Sequence, residues 1–567
     1  MPVIELDFQK LKNHLNFEIS REEFLEMIPS IGADVERVEG DELAIEFFPD
    51  RPDLYSVEGV ARAFSGLYSL RKGLEKLPAL PAYPVHPSDV ELVVDPVLMD
   101  IRPYIGCAVI KGLKLDDRDI QGLMNFQEKL HLTIGRKRTK VAIGIHDMDA
   151  ITPPFRYYAA DPDACSFVPL GKTKEMNLRQ ILDQHEKGIA YKYILQDKPR
   201  YPVIEDSEGY TLSFPPIING TQTTVTTDTT SVFLDITGTH EETVLSVLNI
   251  VACSFAGMGG EVHGVKLTNV HGKQRQLPDL SWQEIKLSQD YISRLLGTNF
   301  LPRDTIHYLR GMGFDAGQGP GDDLVVKVPP YRVDILHPVD LVEDVAIGHG
   351  YTNFEPQRLE SMTYGRKLRP QLGKLRNYMV GMGFTELMTL ILSSEEEQYL
   401  AMGLPEPEDG VKIHNPITKD HTTLRSWLAP GLLATLRKNR HRDLPQRVYE
   451  LDYVFSGTAP RLKLEALEIS SNTGFSDAKA HMNSLLGAME RHFLQGFETK
   501  IRETSHSSFI PGRVAELLLV EKESGEEQQL GLFGELHPEV ISNFSLENPV
   551  SYLGIELQPL AEPEHLD

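Results

Sequence analysis

Asp334, Asp340, Glu343 and Asp344 crowd four carboxylates into DILHPVDLVEDVAIGHGY, residues 334–351. Charges of one sign this close together need a neutralising partner. Pro338 suits a first helical turn, where its missing N–H costs nothing. Positions 340, 343 and 344 then stand at i, i+3 and i+4 on one helix face, with Leu341, Val342 and Val345 on the opposite, buried face. Asp334 ends the preceding strand and is placed to fold back on the same site. Acids in a first turn gain about 0.3–1 kcal/mol each from the helix dipole, enough to explain one or two of them. Further acids meet like-charge repulsion of about 0.2–0.5 kcal/mol at i,i+4. Arg332 offsets one charge, and a hard divalent cation would offset more. The donors are oxygens, with no cysteine and only His337 alongside, which favours Mg²⁺ or Ca²⁺ over zinc. On the residues alone, helix-dipole complementation and a metal both stay open.

A second stretch is rich in hydroxyls: LSFPPIINGTQTTVTTDTTSVFLDITGT, residues 212–239. It has strand character, a turn expected at Asn219-Gly220, and Asp235 and Thr237 two apart on one strand face. Taken alone, such a run reads as an exposed strand and loop. GIHDMD, residues 144–149, offers His146, Asp147 and Asp149 to a metal, but a loop after the KVAIGI strand is the expectation.

The elements that must position the acidic helix occur twice. Residues 4–54 fall on residues 285–335 without a gap, pairing Gly32 with Gly313, Asp34 with Asp315, Pro49 with Pro330, Arg51 with Arg332 and Asp53 with Asp334. Each copy reads as a helix, a glycine at its end, a Gly/Asp turn, a short strand, Pro-x-Arg-x-Asp and a second helix. A four-residue gap then sets Glu58 on Glu343 and Gly59 on Asp344, while Asp340 has no counterpart. The shared residues describe a fold. The added carboxylates describe something particular to the second copy.

The whole chain bounds these readings. At roughly 100–200 residues per domain, 567 residues suggest three to five domains. Hydrophobic residues make up 41% and charged residues 25%, ordinary for a globular protein. No apolar run approaches the roughly 18 residues that would span a bilayer, and the N-terminus lacks the apolar core of a signal peptide. Cys107, Cys165 and Cys253 lie far apart, which excludes a CxxC zinc site and fits a reducing cytoplasm. The formal charge of −25 argues against a simple nucleic-acid-coating protein. Three basic patches stand inside that acidic body: GRKRTK at 135–140, YGRKLRP at 364–370 and LRKNRHR at 436–442. Each alone reads as a solvated face or a contact with an acidic partner.

PPYRVDILHPVDLVEDVAIGHGY, residues 329–351, resembles the magnesium-binding segment of phenylalanine–tRNA ligase (phenylalanyl-tRNA synthetase) β subunits of the archaeal and eukaryotic type. The family's Asp-x5-Asp-x2-Glu-Asp spacing is matched at Asp334, Asp340, Glu343 and Asp344. The resemblance continues in order through 47–67, 126–163, 212–260, 415–455, 510–519 and 530–546, and so covers nearly the whole chain.

The resemblance implies a multidomain α+β protein. Residues 1–75 would be an N-terminal α+β module, 80–275 a β-rich editing module of B3/B4 type, 281–355 a B5-like repeat carrying the magnesium, and 365–560 a class II synthetase-like antiparallel-sheet domain. VYELDYVF, residues 448–455, resembles the motif-2 strand region, but no motif-3 signature of Gly and Arg follows. Arg425 and Arg513 then read as structural or interface residues, and no aminoacylation catalytic residue is assigned. The resemblance places that site, and most of the ATP binding, on a separate α subunit in an α2β2 tetramer that binds tRNA(Phe). By the same resemblance, Ser213, Asn219, Asp235 and Thr237 form an editing pocket that hydrolyses Tyr-tRNA(Phe). A non-enzymatic RNA-binding or assembly scaffold is the competing reading, motivated by the repeat, the absent synthetase motifs and the basic patches.

Overall fold

The computed structural model describes residues 2–74, 76–356, 358 and 370–558, with the backbone alone at 370 and 371. The chain forms two compact units, Met1–Arg358 and Leu359–Asp567.

The first unit opens and closes with the duplicated module. Strand Val3–Asp7, helices Phe8–His14 and Arg21–Met27, strands Ala33–Glu39 and Glu42–Phe47 and helix Val57–Arg71 make the first copy. Strand Gln283–Ser288, helices Gln289–Leu296 and Pro302–Gly311, strands Asp315–Gln318 and Asp323–Val328 and helix Pro338–His349 make the second. In both, the third strand lies between the first and second, antiparallel to each. The register is shared: Leu6 faces Leu43 as Leu287 faces Leu324, and all four are buried. A one-residue slip would have turned these side chains to solvent, so the hydrophobic pattern fixes the pairing in each copy. The copies pack on each other within this unit. A side chain at Gly66 would meet the Gly311 carbonyl at 1.8 Å, and Arg71 donates to the Ile347 and Gly348 carbonyls at 2.8 and 3.1 Å.

Between the copies lie two sheets. The five-stranded sheet has the order Val85–His86, Glu261–His263, Tyr104–Lys111, Ser231–Gly238, Val141–Asp147. Helix Glu241–Gly257, apolar nearly all round, packs beneath Tyr104–Lys111 and Ser231–Gly238. The seven-stranded sheet runs from Ile218–Asn219 through Thr211–Phe214, Tyr201–Glu205, Phe155–Ala160, Glu91–Val94 and Val265–Thr268 to Gln274–Leu277. Two local expectations are corrected here. The 144–149 stretch is not a loop from its start, because His146 and Asp147 pair with Phe233 and Val232 and prolong the strand. Asn219 does not open a hairpin turn but pairs with Ser213. The turn lies at 215–217, where the prolines can give no N–H to a ladder and the Ile217 N–H returns to the Phe214 carbonyl at 2.8 Å.

The second unit is built on a seven-stranded sheet: Thr385–Glu386, Gln446–Ser456, Ala459–Ile469, Val550–Glu556, Glu527–Leu536, Phe509–Glu521, Phe497–Glu503. All neighbours are antiparallel except the first pair. Strand alternation splits its core. Tyr449, Leu464, Leu553 and Ile555 pack with helix Phe475–Met489 on one face, and Val448, Leu467, Val550 and Tyr552 with helix Ala429–Lys438 on the other. Among the described residues no helix is long and apolar enough to cross a membrane.

Candidate functional sites

Ser213, Asn219, Asp235 and Thr237 line one cavity of about 180 Å³ in the first unit. Strand Ser231–Gly238 is held on both sides, by Tyr104–Lys111 and by Val141–Asp147, and presents Asp235 and Thr237 on the same face. The hairpin carrying Ser213 and Asn219 closes over them. Gly144 lies opposite Asp235 in the ladder, and a Cβ there would stand 2.3 Å from Asp235 Oδ2. Glycine is therefore what admits the carboxylate.

Asp235 is buried and accepts on one oxygen, Oδ2, from the Ser213 hydroxyl at 3.1 Å and from His146 Nε2–H at 2.7 Å. With Nε2 donating, Nδ1 of a neutral imidazole is the acceptor for the Thr223 hydroxyl at 2.8 Å. The order is serine, carboxylate, imidazole: His146 touches Asp235 and not Ser213. This is not the serine–histidine–aspartate arrangement in which histidine takes the nucleophile's proton. Thr237 is fixed by fully buried Arg102, whose Nε–H and Nη2–H reach the threonine hydroxyl at 3.0 Å and carbonyl at 2.6 Å. Burial lowers that guanidinium to about 10. The Thr237 oxygen thus accepts from Arg102 and keeps its own proton as a donor. Asn219 Nδ2 is more loosely held, 3.5 Å from the Ile145 carbonyl.

A charged wall completes the cavity. His131 Nε2 accepts the Ile143 N–H at 2.8 Å and Nδ1–H donates to Glu128 at 3.4 Å, and burial pushes this imidazole down to about 4. Glu128 also receives Arg138. Burial opposes its charge, but the His131 hydrogen bond and the Arg138 cation bring it to about 2. Arg138 corrects the reading of 135–140 as a solvated face. It is buried, donates to the Ile217 carbonyl at 2.9 Å and lies 4.6 Å over the Tyr191 ring. Arg136, Lys137 and Arg138 turn with φ of 46, 53 and 67°, a left-handed run costing about 1–2 kcal/mol per residue, and this turn is what carries Arg138 inward. Arg136 and Lys137 stay exposed, as do Lys438, Arg440 and Arg442 of the third patch. Residues 364–369 of the second patch lie outside the described residues.

His146, Thr223, Arg102 and Glu128 are the participants that the sequence reading missed. Period-two alternation through 142, 144 and 146 sets His146 on the face of Gly144 and was the available signal for it. Arg102 and Glu128 lie far from the hydroxyl-rich stretch in sequence and carry no local signal.

Asp340, Glu343 and Asp344 stand on helix Pro338–His349, and the four carboxylates of 334–344 have different partners. Asp344 is buried and accepts Arg332 Nη2–H at 2.6 Å and Nη1–H at 3.2 Å, while Asp334 accepts Arg332 Nε–H at 2.9 Å and Nη2–H at 2.7 Å. Arg332 thus answers two charges rather than one. Asp340 closes a capping box, accepting the Leu336 and His337 N–H groups at 2.8 and 2.7 Å. Glu343 remains exposed, its carboxyl raised by partial burial and by Asp344, Asp50 and Asp340. Burial likewise raises Asp344 against the pull of Arg332. At Asp334 burial is outweighed by Arg332 and the group is lowered. In the first copy a Cβ at Gly59 would meet the Asp53 carbonyl at 1.8 Å, so the four extra residues of the second copy are what make room for Asp344. All-oxygen donors suit a hard cation in kind. Among the described residues, however, no three His, Cys, Asp or Glu side chains stand together as a metal site.

In the second unit Arg425 is a structural hub, fully buried and bonded to Glu450, Asp452 and the Tyr453 carbonyl at 2.7, 2.7 and 2.8 Å. Arg513 pairs with Glu535 at 2.7 Å.

Known proteins are similar to this chain along nearly its whole length. The chain is 40% identical to "Phenylalanine--tRNA ligase beta subunit" of Methanothrix thermoacetophila over 98% of its length and 99% of the relative's. It is 38% identical to the protein of that name from Archaeoglobus fulgidus, over 98% of both. The chain belongs to the family of phenylalanine–tRNA ligase β subunits. Three family descriptions match along it: "B3/4 domain" at 113–248, "tRNA synthetase B5 domain" at 285–351 and "Phenylalanyl tRNA synthetase beta chain CLM domain" at 360–557. The cavity residues fall largely within the first, the acidic helix within the second and the second unit within the third. A crystal structure of an N-terminal fragment of the phenylalanyl-tRNA synthetase β subunit from Pyrococcus horikoshii covers 62% of the chain at 37% identity, with a TM-score of 0.58. As a β subunit of this family, the chain works in the charging of tRNA with phenylalanine.

Proposed function

We propose that residues 80–275 form an editing module that hydrolyses Tyr-tRNA(Phe) at the cavity of Ser213, Asn219, Asp235 and Thr237. The convergence of these four residues on one buried pocket carries the reading. A charging site that fits phenylalanine rejects an added hydroxyl only about a hundredfold, so a second site that recognises tyrosine supplies the rest. Thr237 offers its hydroxyl proton to the ester, while Ser213, whose proton goes to Asp235, offers its oxygen as an acceptor. Asp235, oriented by His146, accepts a proton or hydrogen bond from the attacking water. Among the described residues no histidine is paired with either hydroxyl, and Ser213 gives its proton to the same Asp235 oxygen that His146 holds, so the reading has water attack the ester directly. This built cavity favours an enzyme over a scaffold.

The second unit is read as the class II synthetase-like domain that supports a separate α subunit, which would hold ATP and the aminoacylation site, in an α2β2 assembly that binds tRNA(Phe) in the cytoplasm. Met388, Leu390 and Ile417 stand 92, 68 and 100% exposed, apolar surface suited to a partner. Residues 281–355 are read as the B5-like module and 1–75 as its N-terminal counterpart. Mg²⁺ suits the oxygens of Asp334, Asp340, Glu343 and Asp344 in chemistry, but their placement around Arg332 does not fit an ion. Binding there would require Asp334 or Asp344 to leave the guanidinium, and no step of the reaction is routed through it.

The test is to mix the assembled ligase with preformed Tyr-tRNA(Phe) and follow release of tyrosine. Release well above the buffer rate is expected. Ester that persists as it does in buffer would remove the editing reading.

A further inference from the structure

The second unit holds a cavity that neither charging nor editing accounts for. It measures about 300 Å³ and opens over strands Ala459–Ile469, Val550–Glu556 and Glu527–Leu536. Glu465 lines it and is 1% exposed. Its Oε2 accepts the Ala429 N–H at 2.7 Å, at the head of helix Ala429–Lys438. Its Oε1 is buried and, among the described residues, makes no hydrogen bond of good geometry, although the Tyr552 hydroxyl lies close to the Glu465 carboxylate. Buried polar atoms are almost always paired, and a carboxylate oxygen this poorly satisfied beside a cavity has room for a further donor. Burial pushes this carboxyl up to about 7. An arriving cation would hold it in the charged form.

The surroundings define that donor's carrier. Trp427 forms one wall, its ring 5.7 Å from those of His506 and Tyr552 and its Nε1–H donating to the Tyr552 hydroxyl at 3.0 Å. A Cβ at Gly554 would lie 2.0 Å from that hydroxyl and 3.2 Å from the Glu465 stem, so glycine there keeps both groups in place. Lys463 lies two residues before Glu465 on the same strand face and lines the same cavity. Successive same-face positions are roughly 7 Å apart. A carboxylate and an ammonium at that spacing, beside a flat aromatic wall, complement a zwitterion with a flat apolar body.

We propose that this cavity binds a free α-amino acid with a flat apolar side chain, its ammonium on Glu465 Oε1, its carboxylate on Lys463 and its side chain against Trp427. The cavity is then a small-molecule site separate from both the editing pocket and any charging site on a partner. Three probes titrated calorimetrically into the full-length chain test it: L-phenylalanine, phenethylamine, which lacks the carboxylate, and 3-phenylpropionate, which lacks the ammonium. Phenylalanine is expected to bind best, phenethylamine at least about tenfold more weakly and phenylpropionate not at all. E465Q, an isosteric change, should weaken phenylalanine at least about tenfold. K463M should erase the preference for phenylalanine over phenethylamine. If E465Q does not fold, K463M decides alone, since Lys463 is only partly buried and its loss leaves the core intact. A folded wild-type chain that binds none of the three, or a preference for phenylalanine that survives K463M, overturns the proposal.

Discussion

Replacing Gly144 with alanine puts a methyl group into the space of the Asp235 carboxylate. The new Cβ would lie 2.3 Å from Oδ2 and 2.7 Å from His146 Nε2. The backbone has little room to yield, because Gly144 is paired opposite Asp235 and the Asp235 strand is pinned on its other edge by Tyr104–Lys111. The carboxylate must rotate, and its hydrogen bonds to Ser213 and His146 go with it. Overpacking of this kind costs about 1–3 kcal/mol of stability. A hydrogen bond to a charged group is worth about 1.5–3 kcal/mol. If one such bond acts in the transition state, tyrosine release slows by about 10- to 100-fold. The assay is deacylation of Tyr-tRNA(Phe) by the assembled ligase, run beside phenylalanine charging and a melting curve. G144A should melt somewhat lower, charge phenylalanine normally and fail to clear tyrosine. Clearance at the wild-type rate would refute the assigned role of Asp235.

Arg332→Met strands buried Asp344 and Asp334 without their cation and should destabilise the chain by about 3–5 kcal/mol, read as a lowered melting temperature; a near-neutral result would show that Arg332 is not what neutralises them. His131 binds its proton near 6.5 unfolded but only near 4 when folded, so between those pH values the unfolded chain holds more protons and stability falls as pH drops from 6.5 to 4. The loss is about 3 kcal/mol over that window, and H131Q should flatten the pH profile of unfolding there. Asp340→Ala with Glu343→Ala should, through the lost capping box, cost about 0.5–2 kcal/mol of stability, read as a lowered melting temperature, and should leave Mg²⁺ titration of the chain unchanged. A Mg²⁺ affinity that falls in the double variant would show that Asp334 or Asp344 leaves Arg332 to join an ion.

Much of the first unit was legible because its signals are local or repeated. The duplication showed in aligned glycines and prolines, and the shared register of Leu6 with Leu43 and Leu287 with Leu324 is the same pattern in three dimensions. Ser213, Asn219, Asp235 and Thr237 were named together through a family resemblance, and the structure brings them to one cavity. What stayed hidden depends on partners distant in sequence. His146 was passed over because three polar residues in GIHDMD suggest a loop, whereas pairing with the Ser231–Gly238 strand extends the sheet across them. Arg138 was read as solvated because nothing in GRKRTK announces a left-handed turn that directs one of its cations inward. Helical periodicity set Asp340, Glu343 and Asp344 on one helix but cannot tell that Asp344 is taken by Arg332 while Asp340 is spent on the helix start.

The most direct measurement is tyrosine release from Tyr-tRNA(Phe) by the assembled ligase carrying Asp235→Asn, beside its rate of phenylalanine charging. Asparagine keeps the shape of the side chain but not the charge that receives His146 and Ser213. Release about 100-fold slower with charging intact is the expected result, on the scale of one charge-assisted hydrogen bond in the transition state. Release at the wild-type rate, or a parallel loss of charging, would contradict an editing site built on Asp235.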